Sequence, residues 1–180
     1  MRRLVIACAL LGPGSAASLA AQGTCEVISG PRTVINEVGP ATYISGRTRI
    51  RCDDGLAFIA DSMFSAYGRR LLIGNVEFSD PEKTVTSQRL DHDSRSGIVI
   101  ATGATVVTDR KTGSVLNAPQ GLQYTRESGT TPAQLVVSSG RPHLTLYRDR
   151  TSGTRDTTEV DSNLMRLVGE NVFYGTGNVV

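Results

Sequence analysis

Signals of catalysis are what this chain has least of. It holds two histidines, His92 and His143. It has no G-x-S-x-G elbow, no metal-ligating pair at helical spacing and no Walker loop. Asp91-His92-Asp93 can be drawn as a base with its orienting acid, but Ser94-Arg95-Ser96-Gly97 follows at once, so the segment reads as a solvated turn. His143 lies in an alternating run and reads as a surface or cross-strand residue. Gly129 and Gly153 sit in turns without the lysine and helix that a phosphate cradle needs. The expectation is a non-enzyme without a cofactor or metal.

A long apolar run is also missing. Leu4 to Leu11 is too short for the roughly 20 residues that span a bilayer. It follows Arg2 and Arg3 and leads into small residues ending in Ser18-Leu19-Ala20, the layout of a signal peptide cleaved near Ala20. Cys8 comes too early in that segment to be a lipid attachment site. Residues 1–20 are therefore read as a signal peptide, which marks the chain for export. Beyond Ala20 the chain carries 17 basic and 17 acidic residues, so it is neutral. No basic stripe remains, which argues against nucleic acid as a partner. Cys25 and Cys52 are the pair that survives cleavage. In an exported chain they read as a disulfide, which restricts the unfolded chain by roughly 3–4 kcal/mol in the entropy model.

Alternating β-branched segments are abundant instead. Arg70 to Phe78 reads as a strand with Leu72, Val76 and Phe78 on one face, and Gly97 to Thr108 as a single long strand. Ala133 to Ser138 and His143 to Tyr147 add two more. Turn chemistry punctuates them at Asp53-Asp54-Gly55, Ser79-Asp80-Pro81, Lys111-Thr112-Gly113 and Thr151-Ser152-Gly153. Such spacing indicates an all-β sandwich, barrel or solenoid.

A weak internal repeat refines this. Ala60-Asp61-Ser62-Met63, Ser87-Gln88-Arg89-Leu90, Ala118-Pro119-Gln120-Gly121-Leu122 and Asp161-Ser162-Asn163-Leu164 form one element. Each is followed by a glycine and alternating apolar residues, beginning at Gly74, Gly103, Gly140 and Gly177 with spacings of 29, 37 and 37. Glycine within a strand marks a bend, a bulge or a close backbone approach. Bends at matching places would fold successive layers over together, as two sheets meeting at an angle.

Tyr43-Ile44-Ser45-Gly46, Asp61-Ser62-Met63 ahead of Tyr67, Gly74-Asn75-Val76, and Leu116-Asn117-Ala118 ahead of Leu122-Gln123-Tyr124 resemble the OstA-like (LptA-like) domain of periplasmic lipopolysaccharide-transport proteins. The resemblance runs from Tyr43 to the C-terminus, which makes 21–42 an N-terminal extension and 43–180 one domain and implies a periplasmic location; the cysteine pair does not map onto the family pattern. The resemblance implies a V-shaped β-jellyroll of stacked antiparallel strands with an apolar trough. It also implies passage of lipopolysaccharide from the inner to the outer membrane, with copies or partner jellyrolls joined end to end.

An apolar strand face needs nothing more to hold an acyl chain, which gains about 0.8 kcal/mol per buried methylene. The candidate lining is Met63, Leu72, Val76, Phe78, Leu90, Ile98, Ile100, Val106, Leu122, Leu144 and Leu146. Arg69, Arg70 and Arg141 fall near strand ends, within reach of a headgroup phosphate. Two other readings stay open: an exported β-solenoid scaffold or adhesin with a dry core, and an exported hydrolase whose site the sequence does not advertise.

Overall fold

The computed structural model describes residues 25–29, 33–34, 41–149, 153–169 and 172–180. The signal-peptide reading lies outside these residues, as do Thr151 and Ser152 of one expected turn.

The described residues are all-β and form one antiparallel 15-stranded sheet that does not close on itself, consistent with a β-jellyroll. Its strands are β1 (Cys25–Ser29), β2 (Thr33–Val34), β3 (Thr42–Cys52), β4 (Ala57–Ala66), β5 (Arg69–Ser79), β6 (Lys83–Asp93), β7 (Ile98–Thr102) and β8 (Thr105–Asp109). They continue as β9 (Val115–Ala118), β10 (Gly121–Thr125), β11 (Gln134–Val137), β12 (His143–Asp149), β13 (Arg155–Asp161), β14 (Leu164–Val168) and β15 (Val172–Thr176).

The sheet is two ladders joined along a line of corners. Strands β3 to β6 each contribute to both ladders, and their registers shift between Ser45 and Thr48, Ile59 and Ser62, and Ile73 and Val76. After β6 the bend becomes a break. The second half of β6 pairs with β7, while its first half pairs with β8. The first ladder continues β7–β10–β11–β14–β15 and the second β8–β9–β12–β13. The expected long strand from Gly97 to Thr108 is therefore two strands in different ladders, because Gly103 turns the chain between them with φ +86°.

The repeated glycines sit at the corners, and their neighbours show why a side chain does not fit there. A Cβ on Gly74 would lie 2.7 Å from the Asp61 carboxylate, and one on Gly103 would lie 2.5 Å from the Gln88 amide oxygen. Both glycines have positive φ, which L side chains rarely adopt. Gln120 covers Gly140, and Asn163 covers Gly177, in the same way. Each covering residue belongs to the first element of the repeat. Hydroxyls fasten the corners from inside. Thr48 donates to the Gly46 carbonyl at 2.8 Å, Ser87 to Arg89 at 3.1 Å, Thr105 to Gly103 at 2.9 Å and Ser162 to Leu164 at 2.8 Å. All four are buried, so these bonds satisfy groups that would otherwise lose water without replacement.

The sheet begins earlier than the Tyr43 boundary. β1 pairs with the second-ladder half of β3, Cys25 opposite Cys52, and β2 pairs with the first-ladder half. The Cys25–Cys52 disulfide ties the outermost strand to its neighbour.

Candidate functional site

Alternation along the strands sends one face of each ladder inward. Ile44, Met63, Leu72, Leu90, Val99 and Leu135 come from the first ladder, and Ile50, Phe58, Val76, Phe78, Val85 and Leu116 from the second. All belong to one continuous apolar cluster. The two ladders thus share a single seam of hydrocarbon.

Seven of the eleven candidate lining residues lie buried in this seam: Met63, Leu72, Val76, Phe78, Leu90, Leu122 and Leu144. Leu146 packs against it partly buried. Ile98, Ile100 and Val106 stand on the other face. Ile100 is 46% exposed, while its neighbours Val99 and Ala101 point inward, as does Val107 beside Val106. Ile98-Val99-Ile100 is apolar on both parities, so alternation alone does not say which set is inside. The inward residues that the sequence reading missed include Ile44, Phe58, Val85, Val99, Leu135 and Met165.

The arginines fall at different places. Arg69 pairs with Asp91 at 2.7 Å on the surface. Arg141 is exposed at a corner, with φ +49°. Arg70 turns inward, with its guanidinium carbon 5.5 Å from the centroid of Phe58, and donates to Cys25 Sγ at 3.0 Å.

His92 overturns the solvated-turn reading. It lies within β6, is 1% exposed, and stacks near Phe58 at 5.4 Å and Phe78 at 6.3 Å. Its side chain alternates inward with Leu90, and the turn begins only after Asp93. Arg70 approaches His92 Nδ1 at 3.2 Å. A guanidinium can only donate, so Nδ1 must accept and the ring is neutral. Burial, then the charges of Arg70 and Arg126, lower the His92 pKa to about 4.

Polar bonds cross the rim of the seam, on the side away from the corners. Tyr124 of β10 donates its hydroxyl to Asp80 Oδ2 at 2.8 Å, and both groups are buried. Asp80 Oδ1 separately accepts the backbone N–H of Glu82 at 2.8 Å and of Lys83 at 2.7 Å, holding the β5–β6 turn. Arg126 reaches Asp54 in the β3–β4 turn at 3.1 Å. Burial and the Asp80 carboxylate push the Tyr124 pKa far up, so the phenol keeps its proton. A cleft of about 140 Å³ opens beside this bond, lined by Asp80, Pro81, Glu82, Tyr124, Arg126 and Glu127.

On the outer face of the second ladder, His143 Nδ1 lies 3.2 Å from Asp161, and its Nε2 lies 3.4 Å from the Thr145 hydroxyl. The three are half-buried on a strand face. Among the described residues, no three His, Cys, Asp or Glu side chains converge as a metal requires.

Comparison with protein-family models and with curated proteins returns no match.

Proposed function

We propose that this chain is an exported, periplasmic carrier that binds lipopolysaccharide or a related amphiphile between its two ladders and helps move it from the inner to the outer membrane. The observation that carries this reading is the seam. Inward apolar residues from both ladders run without interruption from Ile44 to Met165, between sheets that stay unclosed at their edges. The disulfide fits an oxidising compartment. Acyl chains would replace protein–protein contacts along this seam when the ladders part, at little net loss of apolar burial.

The edges fit end-to-end association with a second jellyroll domain or a second copy. After the Gly177 corner the chain enters the second ladder, where Val180 and Asp161 exchange two backbone bonds of 3.1 Å. Beyond that bridge, the side of β13 facing away from β12 has no strand neighbour among the described residues. Such an edge can accept a strand from a partner.

Protein isolated from native envelopes tests the reading. Mass spectrometry should find a co-purifying amphiphile, and its absence would leave the dry-core scaffold as the better account. That second reading has its own support, because Phe58, Phe78, Val85 and Leu90 are fully enclosed. Crosslinking from a probe at Val179 tests association; monomer alone at high concentration would end the end-to-end idea.

A further inference from the structure

The seam between the ladders is closed where Tyr124 meets Asp80, and this closure has features that packing alone does not need. We infer that the Tyr124–Asp80 bond, flanked by Arg126–Asp54, is a clasp that holds the ladders together and must open before an amphiphile enters the seam. This rests on the reading of the seam as a lipid site.

Position is the first argument. The ladders are joined along the line of corners, by continuous strands up to β6 and by chain turns beyond it, so they separate by swinging about that line. A bond at the opposite rim resists that motion with the greatest leverage. Asp80 lies in the β5–β6 turn of the second ladder and Tyr124 near the rim end of β10 in the first.

The second argument is the division of labour within Asp80. Oδ1 caps the turn through Glu82 and Lys83, whereas Oδ2 serves Tyr124. The turn therefore does not depend on the phenol. Removing the hydroxyl deletes the link between ladders and leaves the turn bonds in place.

Reversibility is the third. A hydrocarbon contact at the rim would expose apolar surface on opening. Here the parted carboxylate and phenol face a cleft large enough for water, lined by Glu82, Arg126 and Glu127. Water can take over both halves of the bond, so opening is a limited exchange of partners. A hydrogen bond to a charged group shifts such an equilibrium by roughly ten- to a hundredfold.

Tyr124→Phe tests the clasp in the mature full chain, with Tyr174→Phe as the control on the exposed face of β15. The probe is a pyrene-labelled fatty acid, read by fluorescence, alongside amide hydrogen exchange without probe. Tyr124→Phe should take up the probe at least tenfold faster, and should raise exchange across Val76–Ser79 and Leu122–Thr125. Tyr174→Phe should match the parent. Unchanged exchange and unchanged uptake in Tyr124→Phe would overturn the clasp while leaving lipid binding intact. Raised exchange with no uptake by any variant would support the clasp as a fastening and remove the lipid reading. Should Tyr124→Phe fail to fold, Asp54→Asn provides the second test. It removes the flanking charge pair, can keep the oxygen that accepts Leu56 N–H, and should shift both readouts in the same direction by a smaller factor.

Discussion

The rings of His92 and Phe58 lie 5.4 Å apart, joining a strand segment of the first ladder to one of the second. A neutral imidazole fits between phenyl rings; an imidazolium there would be desolvated and would face the Arg70 charge. The folded pKa of about 4 is below the ordinary 6.5. Below pH 6.5 the unfolded chain therefore binds a proton that the folded chain refuses. Stability should fall as pH drops from 6.5 toward 4, by up to about 3 kcal/mol. Denaturant titrations across that range should show the slope, and His92→Phe should flatten it. An equal slope in both proteins would place the effect elsewhere.

Crowding and backbone conformation can be separated by comparing a corner glycine with one in the β8–β9 turn. Gly103 and Gly113 both have positive φ, but only Gly103 has a neighbour within reach of an added Cβ. Gly113→Ala should cost about 1 kcal/mol from conformation alone. Gly103→Ala should cost more, on the order of 2–3 kcal/mol, and Gln88→Ser should recover part of the difference. Thermal melts of the three variants and the double variant measure this.

Facing can be tested on neighbouring residues of β7. Val99 points into the seam and Ile100 away from it. Val99→Asp buries a carboxylate among hydrocarbon and should prevent folding or cost several kcal/mol. Ile100→Asp should change stability by less than about 1 kcal/mol. Circular dichroism melts would show the contrast, and similar costs would mean that the inward face has been misassigned.

The disulfide links the exposed β1 to β3, so its loss should act on the edge first. Cys25→Ala with Cys52→Ala should raise hydrogen exchange over Glu26–Ser29. It should lower global stability by at most about 3–4 kcal/mol in the entropy model. Exchange that stays slow at β1 would mean that backbone pairing alone holds the strand.

Much of the architecture was readable in the sequence because it rests on local chemistry. The alternation around Leu72, Val76 and Phe78 marks β5, and the glycine spacing marks the corners, because both follow from backbone geometry. Facing was less readable. Where Ile98-Val99-Ile100 offers apolar side chains to both sides, only the partner ladder selects the inner set. His92 was misread because polarity and a neighbouring turn imply exposure, whereas its burial comes from Phe58 and Phe78 in the opposite ladder. The rim bond was beyond reach for a similar reason: Asp80 and Tyr124 are 44 positions apart, and no local pattern connects them. β1 and β2 escaped because short edge strands carry little periodicity.

The hydroxyls of Thr48, Ser87, Thr105 and Ser162 each bond a carbonyl two residues away on the same chain segment. The fold-overs of β3 and β6, and those between β7 and β8 and between β13 and β14, thus carry fasteners of their own, while Arg47, Asp61 and Asn75 bond from one layer to the next at the corners of β3, β4 and β5. The bend between the ladders is therefore fixed both within single strands and from strand to strand.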